Sequence, residues 1–426
     1  MAARNLITYN KSVLPGGLRV VSEKIPTARA IAIGVWIDAG SRDESVSENG
    51  ISHFIEHMVF KGTRNRSPKQ IASWLESLGG NLNAFTSREQ TCFHAIILDE
   101  HLTEAVDILS DILMNSTFTP GNLTREKSVV VEEIHEVREN PSDYIHELFS
   151  ENFWRGHPLG RSILGTRDNI MAFSRKDLRS YMARHYRGGR VVIAAAGNVS
   201  HRKLLGLVRD RFDFTPGDDG RGEDAVLPDD IAVEFASHAG QQNHVCMGFP
   251  GLAFNHPDRY KLLGLYTYLG AGMSSVLFQR IREEKGMAYT IYAFSDFYRD
   301  SGLLGIYFAT DQKNLPDAAT TILKELKKVK KYRLPEDRLD KIKAQIKGHL
   351  TLALESTSGR MSRLGRQEIM VGHYTSLEQA LRQIDKITPD DIIEMARKLF
   401  TPRGLTMTAL GPADKKDLAG VDFSVL

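Results

Sequence analysis

The chain predicts an α+β fold of two homologous domains, each a mostly antiparallel β-sheet packed with helices, and three observations carry that expectation. Short β-rich stretches mix with longer helix-period stretches, without the strict strand–helix alternation of a doubly wound parallel sheet. A Pro-, Gly- and Asp-rich segment at 213–230 (DFTPGDDGRGEDAVLPDD) has the composition of an exposed linker and divides the chain almost in half. The halves also resemble one another. Ser174-Arg-Lys-Asp-Leu, a helical stretch, Gly188-Gly-Arg and an apolar run ending at Gly197 parallel Thr388-Pro-Asp-Asp-Ile, a helical stretch, Pro402-Arg-Gly and a run ending at Gly411, and both 174 to 388 and 197 to 411 are offsets of 214. Ala84-Phe85-Thr86 parallels Ala293-Phe294-Ser295 in the same way. Such self-similarity marks a duplicated unit, so the domains are expected at 1–212 and 231–426, joined by the linker 213–230.

In chain order, strands are expected over 18–23, 30–38 and 92–98, and helices over 104–113 and 125–137. The longest apolar runs, 30–37 and 191–197, fall far short of the roughly 20 residues that cross a bilayer, so no membrane-spanning helix is expected. The N-terminus lacks the apolar core of a secretion signal and the repeated arginines of a transit peptide, with polar residues beginning by Arg4. A cytoplasmic, reducing location follows, with an organelle matrix as the alternative. At 42% hydrophobic and 25% charged residues, the composition is that of a globular protein. Lys plus Arg number 55 against 53 for Asp plus Glu, so net charge offers no reason to expect nucleic acid or an anionic membrane as partner. The lysine-rich stretch 324–333 does not alter this, because Ile322, Leu326 and Val329 fall at i, i+4 and i+7 and place the lysines on the solvent side of an amphipathic helix. Cys92 and Cys246 are the only cysteines, which excludes a disulfide scaffold and any site of several thiolates. A metal would need His and carboxylate ligands.

That requirement directs attention to Gly50-Ile-Ser-His53-Phe-Ile-Glu56-His57-Met-Val-Phe60. Its apolar spacing predicts a helix with Ser52 as a weak candidate cap. His53 and His57 then stand one turn apart, close enough for two imidazoles to converge on one ion. Glu56 shares their stripe, placed to act on a water in the open position of the metal. Ile51, Ile55 and Met58 form the opposite stripe, so both faces are in use. The pattern H-x-x-E-H inverts the common H-E-x-x-H zinc motif. A tetrahedral catalytic site needs one more protein ligand. In the helix 125–137, with Val130, Ile134 and Val137 as the buried stripe, Glu133 and Glu126 lie within about 60° of that stripe, while Glu132, His135 and Glu136 point away. Burying carboxylates on an apolar face costs free energy unless a cation compensates. Glu133 is therefore the expected third ligand, and Glu126, two turns earlier, the group that orients a ligating imidazole.

His53-Phe-Ile-Glu56-His57 with Lys61-Gly-Thr, and a carboxylate 76 residues past the second His at Glu133, resemble the pitrilysin family of inverse zinc metallopeptidases. The likeness is to its branch of bacterial processing-peptidase-like enzymes and the catalytic subunit of mitochondrial processing peptidase, and it extends along the whole chain. The resemblance implies a zinc endopeptidase for extended peptides or presequences. It implies assembly with a second copy or a related chain. Asn83, Ala84 and Phe85 match the edge strand whose backbone pairs with substrate. Arg282 and Tyr289, in Arg282-Glu-Glu-Lys-Gly-Met-Ala-Tyr289, match the Arg and Tyr that donate to substrate and to the scissile carbonyl. From their chemistry alone, a core tyrosine and a surface arginine are equally open. Gly270-Ala-Gly-Met-Ser-Ser lacks the ending of a phosphate loop and resembles the Gly-Met-Ser-Ser turn of the family. Val276 and Lys285 depart from the family pattern, where Arg is usual. The second half has no H-x-x-E-H in its corresponding helix, near 260–270, so one Zn2+ per chain is expected. The rival reading is a non-catalytic core or scaffold subunit of a processing or respiratory assembly, which the intact set His53, Glu56, His57 and Glu133 opposes.

Overall fold

A computed structural model describes residues 7–217, 220 and 222–426; residues 1–6 of the N-terminus read above, and 218, 219 and 221 of the expected linker, lie outside the described residues. The chain forms two compact units that exchange segments. The first comprises the chain up to His135 with Arg161–Glu223 and Leu352–Tyr374, and the second Glu136–Gly160, Asp224–Thr351 and Thr375–Leu426. Contiguous halves and compact units thus differ by the exchanged segments 136–160 and 352–374. Each unit contains one sheet, and the residues of the sheets explain the exchange.

The first sheet holds β1 (Thr8–Val13), β2 (Arg19–Lys24), β3 (Ala30–Ile37), β4 (Asn81–Thr86), β5 (Thr91–Leu98) and β6 (Val191–Gly197) in the order β1-β2-β6-β3-β5-β4. Only β2/β6 is parallel. The second sheet holds β7 (Ala232–Ser237), β8 (Gln242–Pro250), β9 (Thr290–Phe297), β10 (Gly302–Asp311) and β11 (Thr406–Gly411) in the order β7-β11-β8-β10-β9, and only β7/β11 is parallel. With β1 set aside, the orders correspond strand for strand, as duplication requires. The matched Ser174 and Thr388 cap matched helices, Arg175–His185 and Pro389–Leu399. Each hydroxyl accepts from the backbone N–H three residues on, and Asp177 or Asp391 accepts in return.

β3 and β6 are apolar without alternation because both their faces are covered. On one face Ile31, Ile33, Val35, Ile37, Ile193 and Ala195 join the main core with helices that include Leu102–Met114. On the other lies the helix Thr357–Met370, from the exchanged segment. There Trp36 donates through Nε1 to Met361 Sδ at 3.2 Å, and a Cβ at Gly365 would collide with the Trp36 ring, so glycine sets how closely this helix approaches. In the second unit the helix Pro141–Phe153 does the same: Ile145, Phe149 and Phe153 pack with Cys246, Leu303 and Tyr307. The helix Leu315–Lys331 buries Ile322, Leu326 and Val329 and leaves Lys324, Lys327 and Lys328 exposed, as its spacing predicts. Among the described residues no helix is long and apolar enough to cross a membrane.

The histidine-bearing helix runs Ile51–Val59 and starts from Gly50, whose φ of 97° and close approach to Leu164 O leave no room for a side chain. Ser52 is not its cap; the Ser52 hydroxyl meets the Tyr181 hydroxyl at 2.8 Å. The cap comes from outside the helix. Buried Glu44 accepts from Ser52 N at 2.8 Å, Gly50 N at 2.8 Å and Asn49 Nδ2 at 3.0 Å. Burial pushes its carboxyl from the ordinary 4.5 up to about 7, against the pull of those hydrogen bonds. The folded state therefore holds a proton that the unfolded chain releases near 4.5, so the contribution of this group to stability is full below that pH and is lost as pH rises through about 7. Glu44→Gln, which cannot ionise, is expected to flatten this part of the pH dependence by on the order of 2–3 kcal/mol. Urea midpoints of the metal-free protein at about pH 5 and pH 8 check it; equal falls in the two proteins would contradict the assignment.

Candidate metal centre

Two helices bring the centre together within the first unit. Ile51, Phe54, Ile55 and Met58 are fully buried in the core, and this fixes the rotation of the Ile51–Val59 helix and turns His53, Glu56 and His57 to the other side. The helix Pro120–Glu139 buries Leu123, Val130 and Ile134. Glu126 is 4% exposed on the same face and the Glu133 side chain 39%, whereas Glu132, His135 and Glu136 are exposed.

His53, His57 and Glu133 each offer a ligand atom, all within 4.8 Å of one another. Glu133 Oε1 stands 3.6 Å from His53 Nε2 and Oε2 3.5 Å from His57 Nε2. Donors about 2.0–2.2 Å from a tetrahedral zinc stand about 3.4 Å from each other, so these residues fit such an ion. The nitrogens are also prepared for it. His57 Nδ1 donates to Glu126 Oε1 at 2.9 Å, which leaves the Nε2 lone pair facing Glu133. Glu126 is held below the ordinary glutamate range: burial opposes its ionisation, and hydrogen bonds from His57 and from Lys61, with Nζ 3.0 Å from Oε2, outweigh that. Burial and the neighbouring His57 hold His53 down to about 3, so it is the neutral imidazole that a metal requires. His53 Nδ1 is buried without a partner among the described residues.

Glu56 lies beside the three and is not among them. It is half-buried, and burial raises its pKa although the Thr86 hydroxyl, donating to Oε2 at 2.6 Å, and His57 pull the other way. A carboxylate adjusted upward by its surroundings is suited to accept a proton. Its neighbour β4 is the terminal strand of the sheet, paired among the described residues with β5 alone, and includes Asn83, Ala84 and Phe85. Exposed and half-buried residues alternate along it.

Arg282 and Tyr289 belong to the second unit. Tyr289 is 74% exposed, which rules out a core role, and the Arg282 guanidinium lies 4.4 Å from the centre of its ring. Arg282 sits in a π-helical turn, Phe278–Glu284, and Lys285 donates to Thr321 Oγ1 at 3.3 Å. The helix Arg259–Gly270, equivalent to the histidine helix, has no His, Cys or acidic residue. Sequence reasoning missed three supporting residues: Thr86, Lys61 in its pairing with Glu126, and Glu44.

The chain matches the family Insulinase (Peptidase family M16) over residues 19–167 and the Peptidase M16 inactive domain over 172–346. It is 40% identical over 391 residues to the uncharacterized zinc protease YmxG of Bacillus subtilis, covering 90% of this chain and 94% of that protein. It is 34% identical over 426 residues to the mitochondrial-processing peptidase subunit beta of Saccharomyces cerevisiae, covering 94% and 90% respectively. A solved protease from Helicobacter pylori aligns with a TM-score of 0.88 at 22% identity, over 96% of this chain and 100% of that one, which speaks for a shared fold. Two domain matches to one peptidase family, with relatives similar along nearly their whole length, place the chain in peptidase family M16, the insulinase family.

Proposed function

We propose that the chain is a zinc-dependent endopeptidase for extended peptides, with one zinc held by His53, His57 and Glu133. The observation that carries this is the convergence of two imidazoles and a carboxylate, with Glu126 behind one and Glu56 beside all three. Zinc there would supply a Lewis acid that lowers the pKa of a bound water to about 7 and polarises a carbonyl. Glu56 would accept a proton from a water as its oxygen bonds to the peptide carbonyl carbon, and would pass that proton to the amine nitrogen as the C–N bond breaks. β4 offers an unpaired edge to an extended substrate through the backbone of Asn83, Ala84 and Phe85, a mode that makes few demands on side chains. Glu126 holds the tautomer of His57. The intact set weighs against a purely scaffolding subunit. A second copy or a related chain as partner, and a cytoplasmic location, are parts of the same proposal; the yeast relative is itself named as a subunit.

Cleavage of an unstructured fluorogenic peptide, with and without a chelator, is the test. Activity that disappears with the metal and returns with stoichiometric zinc supports the reading, and activity indifferent to chelation would overturn it. Arg282 and Tyr289 are proposed as donors to substrate carbonyls, on the resemblance and on the exposure of Tyr289. A donor aimed at a developing oxyanion acts mainly in the transition state. Tyr289→Phe should therefore lower kcat by on the order of 10²-fold with little change in KM. Wild-type kinetics in that variant would leave the polarising role to the metal alone.

A further inference from the structure

We propose that Thr86 is the positioning residue of the general base, holding the Glu56 carboxylate through its Oε2 so that Oε1 is the oxygen presented to the water. The proposal rests on the zinc-peptidase reading above and adds a residue to it. Thr86 Oγ1 donates to Glu56 Oε2 at 2.6 Å, the only protein hydrogen bond of that carboxylate among the described residues. A glutamate has three rotatable bonds, so without a fixed donor the carboxylate samples rotamers that turn it from the reacting atoms. The hydroxyl removes that freedom at one oxygen and leaves the other as acceptor.

The surroundings of Thr86 show how it is itself held. It ends β4, opposite Thr91 of β5, where a tight turn follows: Ser87 N donates to Gln90 O at 2.7 Å, and Gln90 N to Ser87 Oγ at 3.1 Å. The turn is docked on the segment 40–44. Ser41 N donates to Ser87 O at 3.3 Å and Arg42 N to Arg88 O at 2.8 Å, while the buried guanidinium of Arg42 pairs with Glu89 Oε1 at 2.7 Å. A Cβ at Gly40 would collide with Ser87 O, so the contact is as close as backbone allows. The same segment ends in Glu44, which caps the helix carrying Glu56. One short segment therefore sets the helix of the base and the strand of its partner against each other, which makes a single hydroxyl enough to fix the carboxylate.

The test compares wild type, Thr86→Val, Thr86→Ser and Glu56→Gln as full chains. Bound zinc, melting temperature, kcat and KM are measured on one unstructured peptide, together with crystal structures of the metal-free wild type and Thr86→Val. Valine keeps the volume and removes the hydroxyl. It should lower kcat by about 10- to 10²-fold with zinc content, melting temperature and KM near wild type, while serine restores most of kcat. In the metal-free Thr86→Val crystal, the Glu56 carboxylate should leave its wild-type position. Wild-type kcat in Thr86→Val, a loss that serine fails to restore, or a loss accompanied by zinc release would each overturn the proposal. A wild type inactive on peptide even with zinc would refute the peptidase reading instead. The crystal comparison then still decides this one, since an unmoved Glu56 in Thr86→Val would overturn it.

Discussion

Glu56→Gln is expected to retain zinc and peptide while losing about 10²–10⁴ in kcat, the range a positioned general base contributes. The substitution keeps the size of the side chain and a carbonyl oxygen to accept from Thr86, so the hydrogen bond at 2.6 Å has a replacement and the helix has no reason to shift. Only the capacity to take a proton is removed. Glu56 is outside the group whose ligand atoms converge, so metal content should not change. Metal analysis, peptide binding by anisotropy and turnover on the same preparation separate the three quantities. Near wild-type turnover would mean that another group moves the proton.

The ligand variants should behave in the opposite way. Glu133→Gln and His57→Ala are expected to bring bound zinc well below one per chain and turnover with it, because two remaining protein ligands hold a metal weakly. Glu133→Gln should leave the metal-free protein close to wild type in stability, since the side chain is 39% exposed and glutamine conserves its volume. His57→Ala should cost more, because it leaves buried Glu126 to Lys61 alone. His135→Ala is the control: that ring is exposed and lies 4.0 Å from Glu132, so neither zinc nor stability should change. Full zinc in both ligand variants would remove His57 and Glu133 from the centre.

What was legible in the sequence follows from how local each feature is. Burial along the helix Pro120–Glu139 obeys a 100° period, so the angle that separates Glu126 and Glu133 from Glu132 and Glu136 could be read before any tertiary structure was known. Ser174 and Thr388 stand out in the sequence as matched points of the repeat, and the capping boxes they form, each a contact across three residues, appear in the structure. The apolar runs of β3 and β6 are too short to cross a bilayer, but nothing in them shows that both faces are covered or names the cover. It arrives more than 150 residues downstream as Thr357–Met370, and this exchange makes the compact units differ from contiguous halves. Nor does a strand sequence reveal the direction of its neighbour, so the single parallel pair in each sheet could not be foreseen. Glu44 is a cap with no local signature. It reaches Gly50 and Ser52 across a loop, whereas the hydroxyl nearest the helix start, that of Ser52, meets Tyr181 instead. Thr86 was visible only as part of a repeat, because its bond to Glu56 joins residues 30 apart in sequence.

Zinc K-edge X-ray absorption on the zinc-loaded full chain, set beside the same measurement on His57→Ala, tests the central claim most directly. The account expects one zinc per chain with nitrogen and oxygen donors at about 2.0–2.2 Å, scattering from two imidazole rings and no sulfur shell near 2.3 Å. In His57→Ala, whatever zinc is retained should show one ring. A two-ring signature surviving in His57→Ala, a sulfur shell, or a wild-type chain that takes up no stoichiometric zinc would contradict it.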